Sequence, residues 1–452
     1  MLPVVALVGR ANVGKSTLFN RLTRTQNALV DDQPGVTRDR QYGYCRLAEC
    51  SFLVVDSGGI AQGEEEYASD IQAQVELLLI EADAVLFVVD GRDGVLMPDR
   101  EIAQMLRTSG ASVTLVVNKT EGLDLHLAGS DFEELGLGKP VSISARRGNG
   151  IPRLLELLQT ENILGEGDHD ESNRPPGIAI VGRPNVGKST ILNQLAGEKR
   201  SIVSGNAGTT RDCVRTSITV DGKEYELIDT AGIRKKSRVQ ERIEKFSVVK
   251  TLQAIEISQA VLLVMDASRG VQVQDVNIAG MINELGRSLV VVLNKWDGLS
   301  KQWKRDIVQE VRERLSFLPD YEHLEISALF GTHIDQLMPA ALRARESAFI
   351  KISTSNLNQA LNDAISSTPP PAHRNRPIKL KYAHQAGSNP PQIVIHGNQV
   401  DKLPESYRRY LSRFLARAFR LRGTSFRIKF RVGENPFRGK RSSKRGLHRR
   451  GQ

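Results

Sequence analysis

Cysteine is scarce in this chain of 452 residues, which contains only Cys45, Cys50 and Cys213. Three thiols without a C-x-x-C pair indicate neither a disulfide framework nor a zinc site, so we expect a reducing, cytoplasmic environment. No apolar run reaches the roughly 18 residues that a membrane-spanning helix needs. The apolar start, residues 1–8, has no charged leader and runs directly into a glycine motif, so we expect no secretory signal.

Acidic residues are nearly missing from the C-terminal part of the chain. Residues 351–452 carry 22 Lys/Arg against 4 Asp/Glu, whereas residues 1–350 carry 40 against 48. A strongly basic segment attached to a mildly acidic remainder predicts that only this end meets a polyanion. The rest of the composition, 40% hydrophobic and 25% charged, is that of an ordinary globular protein, and the length suggests about three domains.

The chain contains an internal duplication. Five motifs return in the same order: GRANVGKSTLFNRL (9–22) as GRPNVGKSTILNQL, PGVTRD (34–39) as AGTTRD, DSGGI (56–60) as DTAGI, NKTE (118–121) as NKWD, and SAR (144–146) as SAL. The first three pairs are offset by 173 residues, the fourth by 176 and the fifth by 183. Constant order and nearly constant spacing predict a duplicated domain rather than a short solenoid repeat.

Composition and motif positions together predict five segments. Residues 161–176 are acidic and contain Gly and Pro, as in flexible linkers, and residues 436–452 carry seven Lys/Arg and no acid, as in disordered basic tails. The predicted segments are a first domain (1–160), a linker (161–176), a second domain (177–348), a small basic domain (349–435) and a basic tail (436–452).

Short apolar runs end at the motifs, and helical patterns lie between some of these runs. In the first copy the runs are Val4–Val8, Phe52–Val55, Ala84–Val89 and Val113–Val117. Strands that alternate with helices predict a doubly wound α/β fold with mainly parallel sheets. Ligands bind at the carboxyl ends of strands in such folds, which is where the motifs fall.

Each copy contains a glycine loop, G-x4-G-K-S, between a predicted strand and a predicted helix. Glycines let backbone N–H groups wrap a phosphate, and the helix N-terminus favours negative charge. We expect Lys15 and Lys188 to neutralise the β- and γ-phosphates, and Ser16 and Ser189 to bind Mg²⁺. We assign both complete loops to nucleotide binding: Gly9, Arg10, Ala11, Asn12, Val13, Gly14, Lys15, Ser16 and Thr17, and Gly182, Arg183, Pro184, Asn185, Val186, Gly187, Lys188, Ser189 and Thr190.

A D-x-x-G motif follows each phosphate loop. We expect Asp56 and Asp229 to hold Mg²⁺, directly or through water, and the backbone N–H groups of Gly59 and Gly232 to sense the γ-phosphate. An isolated D-x-x-G is a weak signal, but its distance behind the phosphate loop makes it a strong one here.

A threonine lies between the two motifs in each copy. We expect Thr37 and Thr210 to complete the Mg²⁺ coordination only when a γ-phosphate is bound, which makes them switch residues. Thr209 is the alternative in the second copy, although the alignment with Thr37 favours Thr210.

The sequence Asn294-Lys295-Trp296-Asp297 selects the base. A carboxylate accepts hydrogen bonds from N1–H and the exocyclic amine of guanine, and adenine has no such pair of donors, so the motif predicts GTP rather than ATP. The Lys295 stem covers the base, and backbone N–H groups at Ser327 and Ala328 reach O6 of guanine.

The first copy has the same elements with one change. It contains Asn118, Lys119, Ser144 and Ala145, but Glu121 replaces the aspartate. Glutamate keeps the charge and adds a methylene, so we expect guanine preference with weaker or differently tuned affinity.

These motifs resemble those of the bacterial EngA/Der family of GTPases, and the resemblance covers essentially the whole chain. The segments DTAGIRKKSR (229–238) and EKFS (244–247) also resemble that family's second domain. The resemblance implies two tandem P-loop, Ras-like GTPase domains and a C-terminal α+β KH-like domain. It also implies GTP hydrolysis, action on the large (50S) ribosomal subunit and its rRNA, and domains that rearrange with the nucleotide state.

The resemblance also bears on the hydrolytic mechanism. Ras-type enzymes usually place glutamine after D-x-x-G to orient water, but this chain has Ile60 and Ile233, so we expect slow intrinsic hydrolysis. Related GTPases use an asparagine at the positions of Asn12 and Asn185 to hold K⁺ beside the phosphates. We expect K⁺ to activate this protein in that way. The alternative is that these asparagines only shape the loops.

The basic domain shows two strand patterns and one helix pattern. Ile378–Tyr382 and Phe426–Arg431 alternate, which predicts one buried apolar face and exposed basic residues, namely Lys379, Lys381, Arg427, Lys429 and Arg431. The segment Glu405–Leu421 predicts a helix with a buried stripe of Tyr407, Leu411, Phe414, Leu415 and Ala418. Its arginine face consists of Arg409, Arg413, Arg417 and Arg420.

Such a domain is typical of RNA-binding modules. However, no G-x-x-G occurs in residues 351–452, and a KH domain normally grips single-stranded backbone with that loop. The domain therefore docks either on structured rRNA or on its own GTPase domains, unless the arginine face is simply solvated.

Two functional hypotheses follow. The first is a GTPase switch whose nucleotide state controls binding to the pre-ribosome. The second is a scaffold that binds RNA or the ribosome and holds nucleotide structurally at its first site, which Glu121 favours. We expect a monomer that does not bind membranes.

Overall fold

The structure is a computed structural model that describes residues 3–23, 29–31, 40–47, 50–56, 78–79, 82–122, 129–160, 175–198, 214–220, 222–229, 248–374 and 376–432. These residues divide into two compact units. The first unit contains the described residues within Met1–Arg174 and Ser247–Glu256. The second contains the described residues within Pro175–Phe246 and Ile257–Gln452. The predicted tail lies outside the described residues, as does the predicted linker apart from its two final prolines.

In the first unit the described residues form a seven-stranded sheet with the order β2-β3-β4-β1-β5-β6-β7. Strands β1, β4, β5, β6 and β7 are parallel, and β2 and β3 add an antiparallel edge. The strands are β1 (Val4–Val8), β2 (Leu29–Asp31), β3 (Arg40–Leu47), β4 (Cys50–Asp56), β5 (Ala84–Asp90), β6 (Val113–Asn118) and β7 (Val141–Ser142).

The helices whose bounds the described residues of this unit give are α1 (Lys15–Thr23), α2 (Met97–Ser109), α3 (Ile151–Thr160) and α5 (Val248–Ile257). Helix α5 belongs to this unit up to Glu256. The Tyr44 hydroxyl donates to the Leu252 carbonyl of α5 at 3.2 Å. Strands β1 and β5 are buried along their whole length, as apolar runs covered on both faces must be.

The second unit contains a sheet of the same kind. Its described strands have the order β13-β12-β11-β8-β10-β9, with only β9 antiparallel. The strands are β8 (Gly177–Val181), β9 (Val214–Val220), β10 (Lys223–Asp229), β11 (Ala260–Asp266), β12 (Ser288–Asn294) and β13 (Glu322–Glu325). The helices are α4 (Lys188–Glu198), α6 (Val273–Leu285), α7 (Lys301–Arg314) and α8 (Leu337–Ala348).

The C-terminal part of the second unit is an α+β domain. Helices α9 (Thr354–Ser367) and α10 (Glu405–Ala418) pack on one face of a sheet with the order β14-β15-β16, formed by Lys379–Gly387, Gln392–Asn398 and Arg427–Val432. Strand β15 is antiparallel to β14 and parallel to β16. This domain hydrogen-bonds to the neighbouring GTPase domain, where the Gly423 N–H donates to the Asp320 carbonyl and the Gly423 carbonyl accepts from the Leu289 N–H.

The helix and the first strand of the basic domain differ in detail from the sequence prediction. Helix α10 ends at Ala418, whose side chain is exposed, and the buried position is Ala416. The register of β14 and β15 shifts between Leu380 and Tyr382, so Ala383 turns into the core and Tyr382 is 48% exposed rather than part of the apolar face. A bulge reverses the alternation of faces, which a simple period of two does not anticipate.

The four arginines Arg409, Arg413, Arg417 and Arg420 are exposed, as predicted. Among the described residues no helix is long and apolar enough to cross a membrane.

Candidate nucleotide-binding sites and basic surface

Each phosphate loop lies between the first strand of its sheet and a helix, as the motif requires. Gly9 and Gly182 have φ values of 153° and 148°, and Gly14 and Gly187 have values of 97° and 100°. A Cβ at Gly9 would collide with the Val88 carbonyl, and one at Gly14 would collide with the amide of Asn118. The glycines are therefore needed both for backbone conformation and for close packing.

The lysines of the two loops are buried and fold back over their own loops. Lys15 donates to the carbonyls of Gly9 and Arg10, both at 2.8 Å. Lys188 makes the same pair of bonds, at 2.9 and 2.8 Å. Burial lowers the pKa of Lys15, although the nearby carboxylate of Asp56 opposes this shift. An ammonium with so little water around it gains strongly from an incoming phosphate.

Ser16 and Asp56 meet at the phosphate end of the first site. The Ser16 hydroxyl donates to Oδ2 of Asp56 at 3.0 Å, and the carboxylate is fully buried. A hydroxyl and a carboxylate are hard oxygen ligands of the kind that Mg²⁺ prefers, so these residues fit that ion. In the second site Ser189 is exposed at the equivalent position, and Asp229 ends β10 as Asp56 ends β4.

The asparagine of each motif that is predicted to recognise the base hydrogen-bonds to two loops of its site. The Asn294 amide donates to the Val186 carbonyl at 2.8 Å, and its oxygen accepts from Ala328 N–H at 2.9 Å. In the first copy, Asn118 makes the corresponding bonds with Val13 and Ala145, both at 2.9 Å. Both asparagines thus tie the phosphate loop to the loop that is predicted to meet the base.

The carboxylates that are predicted to recognise the base, Asp297 and Glu121, have different surroundings. Asp297 accepts a short hydrogen bond from the Ser327 hydroxyl. In the first copy the Ser144 hydroxyl instead accepts from Arg147 N–H, and Oε2 of Glu121 is buried without a hydrogen-bond partner. Glu121, which is one methylene longer than Asp297, therefore lacks the serine hydrogen bond that orients the carboxylate in the second copy.

Two further aspartates belong to the sites, although the motifs did not indicate them. Asp90 and Asp266 end β5 and β11 and pair with the motif lysines, Lys119 at 2.5 Å and Lys295 at 2.6 Å. Burial opposes ionisation of Asp266, but hydrogen bonds from Lys295 and Ser268 outweigh it and hold its pKa below the ordinary value.

A second pair of aspartates, one in each copy, contacts the arginine of its phosphate loop. Asp99 and Asp275 are fully buried near the starts of α2 and α6 and contact the loop residues Arg10 and Arg183 at 3.4 and 2.9 Å. Burial raises the pKa of both carboxyls, and the arginines only partly offset this. Asp90 and Asp266 are 176 residues apart, as are Asp99 and Asp275, which is the offset of the asparagine motif and the sequence signal that could have found these residues.

The asparagines predicted to hold K⁺ have an unusual backbone. Asn12 and Asn185 have φ values of 64° and 63° and exposed side chains. Asparagine tolerates the left-handed region better than most residues, as the loop-shape explanation requires, and the exposed amides are what the K⁺ explanation requires. Thr37, Gly59, Thr210, Gly232 and the two isoleucines that follow the glycines lie outside the described residues.

The basic domain presents most of its predicted basic residues to solvent. Lys379, Lys381, Lys429 and Arg431 are exposed. Arg427 is the exception, because it is half-buried and donates a short hydrogen bond to the Glu284 carbonyl of the neighbouring GTPase domain.

The fold and the paired motifs define a protein with two P-loop GTPase domains. Residues 4–119 and 177–295 match the family described as 50S ribosome-binding GTPase, and residues 351–431 match the KH-domain-like C-terminal domain of EngA bacterial GTPase enzymes. The C-terminal domain is therefore KH-like, as the resemblance implied.

Curated relatives agree along the whole chain. It is 49% identical to GTPase Der of Thioalkalivibrio sulfidiphilus, over 98% of this chain and 96% of that protein. It is 48% identical to GTPase Der of Methylococcus capsulatus over the same shares, and 47% identical to that of Nitrosococcus oceani, over 97% and 95%. The chain belongs to the GTPase Der family, and it is a GTPase that binds GTP or GDP with Mg²⁺.

Proposed function

We propose that this GTPase acts in the assembly of the large (50S) ribosomal subunit, and that its nucleotide state controls binding to rRNA and the ribosome. One observation carries the proposal: two nucleotide sites share a chain with a C-terminal part that carries 22 Lys/Arg against 4 Asp/Glu. RNA is the polyanion that such a part fits. The family description, 50S ribosome-binding GTPase, supports the same partner.

We further propose roles for the site residues. The phosphate loops bind the phosphates with backbone N–H groups, and Lys15 and Lys188 turn from loop carbonyls to phosphate oxygens. Ser16, Asp56, Ser189 and Asp229 offer oxygen ligands to Mg²⁺, which when bound neutralises phosphate charge.

The switch and base-recognition roles are proposed on the same basis. Thr37 and Thr210, with Gly59 and Gly232, respond to the γ-phosphate. Guanine is read by the loops that carry these residues: Asn118, Lys119, Glu121, Ser144, Ala145, Asn294, Lys295, Asp297, Ser327 and Ala328.

Potassium is the proposed activator of hydrolysis. Asn12 and Asn185 lie in the phosphate loops with exposed amides, and the chain has isoleucine where glutamine would orient water. A monovalent cation there stabilises charge that develops on the phosphates. We also propose that the protein works as a monomer in the cytoplasm, where ribosomal subunits assemble.

Sedimentation with purified ribosomal subunits tests the proposed function. The full-length protein is mixed with 50S or 30S subunits in the presence of GDP, a non-hydrolysable GTP analogue or no nucleotide. The expected result is 50S-specific binding that differs between the nucleotide states. Equal binding in all three states contradicts nucleotide control, and equal binding to both subunits contradicts the assignment to the 50S subunit.

A second candidate function is a scaffold in which the first site holds nucleotide structurally. The buried, unpartnered Oε2 of Glu121 favours it, because this carboxylate lacks the serine contact found in the second copy. Single-turnover hydrolysis by Lys15→Ala and Lys188→Ala variants distinguishes the two functions. If only Lys188→Ala lowers the hydrolysed fraction, the first site is structural.

A further inference from the structure

The open face of the KH-like sheet carries a stack of three rings. Tyr382 and His396 lie opposite each other on β14 and β15, with ring centroids 4.5 Å apart and planes inclined by 4°. His384 extends the stack, at 5.3 Å from His396 and 6.4 Å from Tyr382. This group, the ring stack, belongs to neither nucleotide site.

The register of the sheet explains why these rings share a face. Ala383, Ile393 and Ile395 turn towards α9 and α10 and are buried in the core. Residues next to them along each strand therefore point to the opposite face. The bulge before Tyr382 moves that side chain out of the core and beside His396.

The ring stack keeps an accessible aromatic surface. Tyr382 is 48% exposed although its ring stacks on His396. Burial, together with the neighbouring His384 and Arg431, lowers the pKa of His396, so its ring is neutral at neutral pH. A neutral imidazole stacks on a flat ring without repelling the adjacent cations.

Cations surround the ring stack. In the parallel pairing of β15 with β16, His396 lies beside Arg431 and Val394 beside Lys429, and both cations are exposed. Lys381 is exposed next to Tyr382. The three strand segments contain no Asp or Glu. A flat ring with cations on both sides matches an unpaired nucleobase with its flanking phosphates.

We propose that the ring stack is a site where one unpaired nucleobase of single-stranded RNA stacks on Tyr382, with Lys381, Lys429 and Arg431 holding the adjacent phosphates. The chain has no G-x-x-G loop between 351 and 452, so this face supplies a contact to single-stranded RNA that the domain otherwise lacks. This site adds a specific RNA contact to the proposed function. It rests on that function only in taking the partner to be RNA.

Fluorescence of a short single-stranded RNA that carries one stacking-sensitive adenine analogue tests this site in the full-length protein. We expect binding to quench the fluorophore. Tyr382→Leu keeps an apolar side chain but removes the ring, so it should abolish the quench and weaken binding about tenfold. Tyr382→Phe keeps the ring and should retain both. Phe317→Leu, which removes an exposed aromatic ring of the GTPase domain, is the matched control.

Three results would overturn the proposal. The first is a quench that Tyr382→Leu leaves intact, the second is equal quenching with a duplex of the same sequence, and the third is equal competition by polyglutamate of the same charge. If Tyr382→Leu lowers the thermal midpoint, the double change Lys429→Gln and Arg431→Gln replaces it as the test, with an expected loss of binding, because it removes two of the cations that hold the phosphates. Ribosomes are absent from the assay, so its failure is distinguishable from failure of 50S binding.

Discussion

The guanidinium of Arg183, in the second phosphate loop, lies 2.9 Å from the fully buried carboxylate of Asp275. Asp275 also accepts from Gln272 N–H, at the residue before α6. A looser version recurs in the first copy, where Asp99 accepts from Leu96 N–H and lies 3.4 Å from Arg10, which hydrogen-bonds to Asp93 instead. One carboxylate thus fixes both a helix start and a phosphate loop in each domain.

Removal of this carboxylate should destabilise the second GTPase domain. Asp275→Ala leaves Arg183 partly buried without its partner, which typically costs about 3–5 kcal/mol. We expect a lower urea midpoint and weaker GDP binding. The control is Asp306→Ala, which removes an exposed carboxylate from α7. An unchanged midpoint for Asp275→Ala would show that the pair contributes nothing to stability.

Glu121→Asp should strengthen guanine binding at the first site. The shorter side chain restores the length found at Asp297, which accepts from Ser327, and a hydrogen bond to a charged group is worth roughly tenfold in affinity. The measurement is titration of GDP into chains whose second site carries Lys188→Ala. Glu133→Asp, at an exposed position of the same domain, is the control. Unaltered affinity would mean that Glu121 already reads the base as aspartate does.

Ser16→Ala and Ser189→Ala should each weaken Mg²⁺-dependent nucleotide binding in their own domain, because each removes a hydroxyl that we propose as a hard oxygen ligand of Mg²⁺. Nucleotide stoichiometry, followed against Mg²⁺ concentration, is the readout. Thr108→Ala removes an exposed hydroxyl from α2 and serves as the control. A serine variant with normal stoichiometry and normal Mg²⁺ dependence would identify a copy that is not a working site.

Replacement of Na⁺ by K⁺ at constant ionic strength should raise GTP turnover. Asn12→Gly and Asn185→Gly separate the two explanations for these asparagines, because glycine keeps the left-handed backbone and removes the amide. We expect the glycine variants to lose the K⁺ effect. If they retain it, the asparagines only shape the loops, and equal rates of the parent protein in both salts would exclude K⁺ activation.

Neutralisation of Arg409, Arg413 and Arg417 together should weaken RNA or ribosome binding and flatten its salt dependence. Each lost phosphate contact lowers the slope of log affinity against log salt by up to about 0.9. GTP hydrolysis without ribosomes should change little. The matched control neutralises three exposed cations of the GTPase helix α7, namely Lys301, Arg305 and Arg312.

Deletion of residues 436–452 should also lower non-specific RNA affinity in a salt-dependent way, because it removes seven further cations. If the triple variant binds ribosomes normally while its isolated GTPase rate changes, the arginine face meets the GTPase domains and RNA binding lies elsewhere.

Most of the architecture was predictable because its signals are local. The apolar runs before the glycine loops are strands that lie buried in mainly parallel sheets, and the family match confirms the tandem GTPase domains and the KH-like domain. The predicted domain limits and individual site roles stay predictions. Asp90, Asp99, Asp266 and Asp275 were missed because a single carboxylate after a strand or inside a helix has no motif of its own.

The sequence by itself determined the duplication, the GTPase motifs and the basic C-terminal end, because repeated letters, glycine spacing and net charge need no knowledge of packing. Only the tertiary structure decided which side chains meet. The Ser327 hydroxyl donates to Asp297, whereas the Ser144 hydroxyl accepts from Arg147 N–H and Oε2 of Glu121 has no hydrogen-bond partner. A one-residue bulge puts Tyr382 beside His396, because register depends on pairing between strands that no local pattern records.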